Sequence, residues 1–199
     1  MAARRFVSMI SRNAVRLQRL VEDLLDLSRL ESREYKLDLG PVAVAAAAGR
    51  VLALFRERAE AKAIRLVTDL PPDLPPVEAD ARAMEQILTN LVDNAIKYGL
   101  DGGEVCIGAD PPAGSEQGPA FLRVWVRDSG PGIEPAHLPR LFERFYRIDA
   151  GRSSELGGTG LGLAIVKHLA EAMGGSVGVV SMPGRGSRFH VQLQVSTSA

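Results

Sequence analysis

The chain has 199 residues, 46% of them apolar and 24% charged, which is ordinary globular composition and ample for a hydrophobic core. Basic and acidic residues balance to a formal net charge of zero, so no broad basic field argues for nucleic acid. A single cysteine, Cys106, excludes a disulfide framework or a Cys-based zinc site and fits a reducing compartment; no apolar run approaches the roughly 20 residues of a membrane span, and the opening MAARRF lacks the apolar region of a signal peptide.

From about residue 6 to residue 32, Ile10, Ala14, Leu17, Val21, Leu24 and Ser28 recur at alternating steps of four and three. That is a heptad stripe, widened by Leu20, Leu25 and Leu27, and it predicts one long amphipathic helix. Such a helix either lies on its own domain or joins a bundle whose other helices come from elsewhere. Gly40-Pro41 breaks the chain and separates residues 1–40 from residues 41–199. An alanine-rich helical pattern then runs to about Lys62, residues 64–68 read as a strand, and LPPDLPP reads as a loop. Asp80 suits the N-cap of a helix that ends at Tyr98, before Gly99. Residues 105–107 and 121–127 are strand-like, with the Gly/Pro stretch at 110–119 as their hairpin loop. The glycines at 157–162 open a helix reaching about Met173, and strands at 175–180 and 187–195 close the chain around the turn MPGRG. Three helices and five short strands after Pro41 predict an α+β fold in layers, without the regular βαβ alternation of a Rossmann sheet.

Three stretches carry chemistry. In NLVDNAIKYG, Asn90, Asn94 and Lys97 are spaced i, i+4, i+7 and share one helix face, while Leu88, Leu91, Val92, Ala95 and Ile96 serve the core. Amide oxygens are hard ligands suited to Mg²⁺, and an ammonium suits phosphate. In FLRVWVRDSGPGI, a strand runs into Asp128, which can accept from an exocyclic amine, and Gly130 and Gly132 let a flat ring approach the backbone. In GGTGLGLAIVKHLA, the backbone N–H groups at a helix start offer a phosphate site, although neither a Walker A loop nor a GxGxxG fingerprint is present. Each stretch alone also reads as ordinary structure: a solvated polar helix face, a turn, a helix start.

In order and relative spacing, these stretches closely resemble the N, G1 and G2 boxes of the catalytic ATP-binding domain of bacterial sensor histidine kinases, within the GHKL ATPase superfamily. LFERFYR at 141–147 is similar to the family's F box, and GRGSRF at 184–189 to its last hairpin. The resemblance implies a two-layer α/β sandwich of the Bergerat type, preceded by the long amphipathic helix. It implies ATP and Mg²⁺ as cofactors, with Asn90, Asn94 and Lys97 catalytic. Asn94 would hold the metal, Asn90 would assist, Lys97 would pair with phosphate, and Tyr98 would lie near the sugar or lid. Asp128 would read the adenine amine beside Gly130, Gly132, Ile133 and Ser187. Residues 142–158 would form a mobile lid with Phe142 and Phe145 as apolar anchors and Arg147 reaching the phosphates; Arg144 is a second candidate. Gly158, Thr159, Gly160, Leu161, Gly162 and Leu163 would complete the nucleotide site.

The resemblance extends upstream, where RLQRLVEDLLDLSRLES looks like the second helix of the kinases' dimerisation and phosphoacceptor hairpin. It implies a homodimer through residues 6–32, a response regulator receiver domain as partner, and a cytoplasmic site, with a membrane-anchored parent kinase compatible with this. The pattern departs in two respects. His137, His168 and His190 belong to no phosphoacceptor box, so the acceptor histidine is expected in trans or in a longer chain, and the second concerns hydrolysis. Hydrolysing branches of the superfamily carry a water-activating Glu where Asn90 stands, and an amide is no general base, so hydrolysis is expected to be slow. Two further readings stand beside the kinase: a non-catalytic nucleotide-binding interaction module, and a GHKL ATPase-like module.

Overall fold

Three helices cover one face of a five-stranded sheet, because each confines its apolar residues to one stripe. The structure is a computed structural model that describes residues 36–113, 119–148 and 158–197, together with residues 7, 10, 13, 14, 17, 18, 20–25, 27 and 28. The first strand, β1 (Gly40–Val42), leads into α1 (Val44–Glu60), which buries Val44, Ala47, Ala48, Val51, Phe55 and Ala59 at helical spacing. Ala63 takes a left-handed φ of 52° and turns the chain back, so that the Ile64 N–H donates to the Ala59 carbonyl at 2.9 Å.

The strands β2 (Arg65–Asp69) and β3 (Val77–Ala79) flank the proline-rich loop. Then comes α2 (Ala81–Tyr98), whose N-terminus is capped by Asp80: its Oδ1 accepts from the N–H groups of Arg82 at 2.8 Å and Ala83 at 2.9 Å. At the other end the Lys62 ammonium donates to the carbonyls of Ile96 at 2.8 Å and Lys97 at 3.2 Å, placing a cation where the helix dipole favours one. The antiparallel pair β4 (Glu104–Ala113) and β5 (Phe121–Asp128) follows, then a 3₁₀ turn at Pro135–Arg140, α3 (Gly162–Ala172), β6 (Ser176–Ser181) and β7 (Ser187–Gln194).

The sheet order is β2-β4-β5-β7-β6, with β2 parallel to β4 and every other pair antiparallel. Val105, Ile107, Leu122, Val124, Val126, Val191 and Leu193 point into one core with the buried stripes of the helices. The opposite face carries Trp125, buried beneath the guanidinium of Arg188 at 4.4 Å and donating through Nε1 to Asp110 at 3.0 Å.

One expectation is corrected. The strand expected to end near Ile107 continues through Pro111 and Pro112 to Ala113, and residues 114–118 of the expected loop lie outside the described residues. Its register with β5 shifts between Asp110 and Ala113, and such an irregularity accommodates residues that lack an N–H. The short ladder of β1 with β3 was not foreseen, since three residues are too few to show periodicity.

The described residues between 7 and 28 are helical. Leu27 is buried in the common core, whereas Ile10, Leu17, Val21 and Leu24 of the stripe are 47–65% exposed. Among the described residues, then, these four apolar residues of the stripe stay off the core that takes in Leu27.

Candidate active site

The end of β5 delivers Asp128 to the rim of the sheet, opposite Ser187 of β7, which in turn lies opposite Ser181 of β6. The Asp128 carboxylate accepts the N–H of Gly130 at 2.8 Å and that of Ser187. Burial nevertheless prevails over these two bonds and raises its pKa above the ordinary aspartate value. Gly132 has a φ of +72°, and a Cβ there would collide with the Met182 carbonyl, so glycine lets this loop lie flat on the β6–β7 turn. Gly184 N–H closes the contact by donating to the Pro131 carbonyl at 2.7 Å.

On α2, Asn90, Asp93, Asn94 and Lys97 form the arc left by the buried Leu88, Leu91, Val92, Ala95 and Ile96. Asn90 Nδ2 donates to the Gln86 carbonyl at 3.0 Å, which turns its Oδ1 toward Gly162, where a Cβ would lie 2.9 Å away. A Cβ on Gly158 would lie 2.6 Å from Lys97 Nζ. The turn at 158–162 thus runs closely along the polar arc, with the ends of the Lys97 and Asn90 side chains against its glycines. It enters α3 with no side-chain cap among the described residues, and the N–H groups at a helix start favour an anion.

These parts line one cavity of about 640 Å³. It gathers Asn90, Asn94, Lys97, Tyr98, Asp128, Gly132, Ile133, Arg147, Gly158, Thr159, Gly160, Gly162, Leu163 and Ser187 from widely separated sequence positions. Three of the expected site residues lie outside its wall. Gly130 packs behind Asp128, Leu161 is fully buried in the core, and Phe145 is 56% exposed with a left-handed φ of 60°. The Phe145 N–H donates to the Gly160 carbonyl at 2.9 Å and joins the two described ends of the expected lid, while residues 149–157 lie outside the described residues. Phe142 packs edge-on against Phe189 of β7, with ring centroids 6.4 Å apart.

Residues 79–197 match the family described as histidine kinase-, DNA gyrase B-, and HSP90-like ATPases. The chain belongs to this ATPase family. Over 193 residues it is 42% identical to the phosphate regulon sensor protein PhoR of Pseudomonas aeruginosa, covering 93% of this chain and 40% of that protein. It is 34% identical over 185 residues to the sensor histidine kinase WalK of Bacillus subtilis, covering 93% of this chain and 30% of that one. The chain thus spans less than half the length of these relatives. Among solved structures, full-length ShkA in complex with AMPPNP superposes with a TM-score of 0.81 at 32% identity, over all of this chain and 40% of that one. The Acinetobacter baumannii histidine kinase AdeS gives 0.74 at 29% identity, over 96% and 84%. Within the family, the chain is a catalytic ATP-binding domain of the sensor histidine kinase type, with the mixed sheet and one helical layer of those domains.

For an ATP-binding domain of this family the donor set suits Mg²⁺ shared with phosphate. Among the described residues no three His, Cys, Asp or Glu side chains converge, so the chain offers amide oxygens rather than a carboxylate cage. The cavity also takes in residues that sequence reasoning missed. Asp93 sits on the same arc three residues after Asn90, a spacing that could have revealed it, and bonds Arg58 of α1 at 2.6 Å. Asp23 of the N-terminal helix accepts from the Thr159 hydroxyl at 2.8 Å across 136 residues, which no local pattern shows. Tyr146 lines the cavity with its hydroxyl 2.7 Å from His137 Nδ1. His168 lies in α3 and His190 in β7, and burial lowers the pKa of both.

Proposed function

We propose that the chain is the part of a two-component sensor kinase that transfers the γ-phosphoryl of ATP to a histidine nitrogen presented by a phosphoacceptor hairpin. The observation that carries this reading is the convergence of Asp128, the polar arc of α2 and the glycine turn at 158–162 on one cavity. Asp128 accepts from the adenine amine, and the glycines at 130 and 132 give the base room beside Ile133 and Ser187. Lys97, Arg147 and the N–H groups opening α3 hold the phosphates. Asn94, assisted by Asn90, is the metal position; Mg²⁺ bound there with nucleotide supplies charge neutralisation at the phosphates.

The imidazole lone pair attacks the γ-phosphorus in line, the bond to the β–γ bridging oxygen breaks, and ADP leaves with that electron pair. The imidazole releases its other proton to solvent. Asn90 stands where a water-activating carboxylate would favour hydrolysis, so positioning and electrostatics direct the phosphoryl group to the acceptor. The phosphohistidine then passes its phosphoryl group to an aspartate of a response regulator receiver domain.

Residues 1–40 belong on this reading to the second helix of the dimerisation hairpin, and its exposed stripe supports a homodimer through residues 6–32. We place the domain in the cytoplasm, where ATP and receiver domains are found; no described helix is long and apolar enough to cross a membrane. The test mixes the chain with γ-labelled ATP, Mg²⁺ and a separate hairpin carrying an acceptor histidine. Acid-labile label on the hairpin is expected. Nucleotide binding without transfer, or steady release of free phosphate, would contradict the kinase reading.

A further inference from the structure

The base end of the cavity ends in a row of three polar side chains across three adjacent strands: Asp128 on β5, Ser187 on β7 and Ser181 on β6. Ser187 is 6% exposed and lines the cavity, whereas Ser181 lies behind it, outside the wall. The Ser181 hydroxyl is engaged on three sides. It accepts the Ile133 N–H at 2.9 Å, reaches the Gly186 carbonyl at 2.9 Å, and lies 3.0 Å from the Ser187 hydroxyl.

Counting protons gives this pair two arrangements. In the first, Ser181 donates to the Gly186 carbonyl and Ser187 donates to Ser181. Both protons are then used inside the protein, and Ser187 turns lone pairs toward the cavity. In the second, Ser181 donates to Ser187, whose own proton points into the cavity. The Gly186 carbonyl loses little in that exchange, because the Met182 N–H also reaches it at 3.3 Å. The wall therefore places an adaptable hydroxyl beside the carboxylate of Asp128. Adenine presents the matching pattern, an exocyclic amine flanked by ring nitrogens that accept.

We propose that Ser181 is a positioning residue for base recognition: it holds the Ser187 hydroxyl and sets which way its proton points toward the ring nitrogen next to the adenine amine. The same side chain pins the Ile133 N–H and so ties the loop that carries Gly130 and Gly132 to the β6–β7 hairpin. The proposal rests on the ATP reading of the cavity and adds to it a residue that touches no nucleotide.

The test titrates the full chain with ATP, 1-deaza-ATP and 7-deaza-ATP, each with Mg²⁺. The wild type should bind ATP and should weaken with one of the two analogues, which identifies the ring nitrogen that Ser187 addresses. Ser181→Ala should weaken ATP about tenfold, the scale of one hydrogen bond, and should make little difference with that analogue. Ser181→Thr, which keeps a hydroxyl, should restore most of the affinity. A purely structural role would lower the affinity for all three nucleotides equally. That result, or an unchanged ATP affinity in Ser181→Ala, would overturn the proposal. If Ser181→Ala does not fold, Ser181→Cys keeps the size with a weaker hydrogen bond and must show the same dependence on the ring nitrogen. Failure of the wild type to bind ATP would instead overturn the ATP reading, and this proposal with it.

Discussion

On the proposed reading Asp128 works against its surroundings, since burial favours the neutral acid while an amine donor needs the carboxylate. Its folded pKa is raised, so the ionised form costs stability above that pKa, and the cost fades as pH falls through it. Nucleotide affinity moves the other way. ATP binding should decline on mild acidification with a midpoint above the ordinary aspartate value, and Asp128→Asn should be weaker by about tenfold or more at neutral pH and lack that decline. Calorimetric titration of both proteins across pH checks this, the difference between them removing the titration of ATP itself. Gly132 makes a second case. With its φ of +72° and its Cα against the Met182 carbonyl, Gly132→Ala should cost roughly 1–3 kcal/mol in chemical denaturation and weaken ATP binding. Residues such as Asp128 and Asn94 were legible because their types recur in a local pattern. Arg58 and Asp23 were not, because their partners lie 35 and 136 residues away, and Ser181 was not, because its contact with Ser187 depends on the β6–β7 register and its bond to the Ile133 N–H spans 48 residues.

Elements were legible where a local signal is strong. The Asp80 cap, the α2 stripe and the glycines before α3 all speak within a few residues of themselves. β1 and β3 are too short to show a period, and β4 runs through two prolines that normally end a strand. What decides those segments is pairing with a neighbour. Asp80 also joins elements: beyond capping α2 it accepts the Asp38 N–H at 2.9 Å and so ties the segment before β1 to the helix. Burial pushes its pKa up, but the N–H groups of Ala83, Asp38 and Arg82 outweigh burial and hold it below the ordinary value. A carboxyl with a depressed folded pKa contributes stability above its unfolded pKa and loses it as pH falls through the folded one. Asp80→Ala should therefore destabilise by about 1–2 kcal/mol at neutral pH, with the deficit shrinking in strong acid, as followed by denaturant unfolding.

For the molecule as a whole, the ATP-binding layer and the N-terminal helix meet at Leu27, buried in the core, and at the Asp23–Thr159 hydrogen bond beside the glycine turn. Ile10, Leu17, Val21, Leu24 and Leu25 of the apolar stripe stay exposed. If that stripe pairs two chains, Leu17→Glu with Leu24→Glu should shift sedimentation toward monomer and leave ATP affinity intact. A stripe that served only as solvent-exposed surface would give the same sedimentation in both proteins. The layered fold was legible from the order of helices and strands, whereas the exposure of the stripe was not, because a heptad pattern fits a helix on its own domain as well as one in a bundle. The most direct test of the central claim is a crystal structure of the chain grown with AMPPNP and Mg²⁺. The account places the adenine amine on the Asp128 carboxylate and the phosphates between Asn94 and the backbone at 158–162; a nucleotide bound outside this cavity, or with its base at the glycine turn, would contradict it.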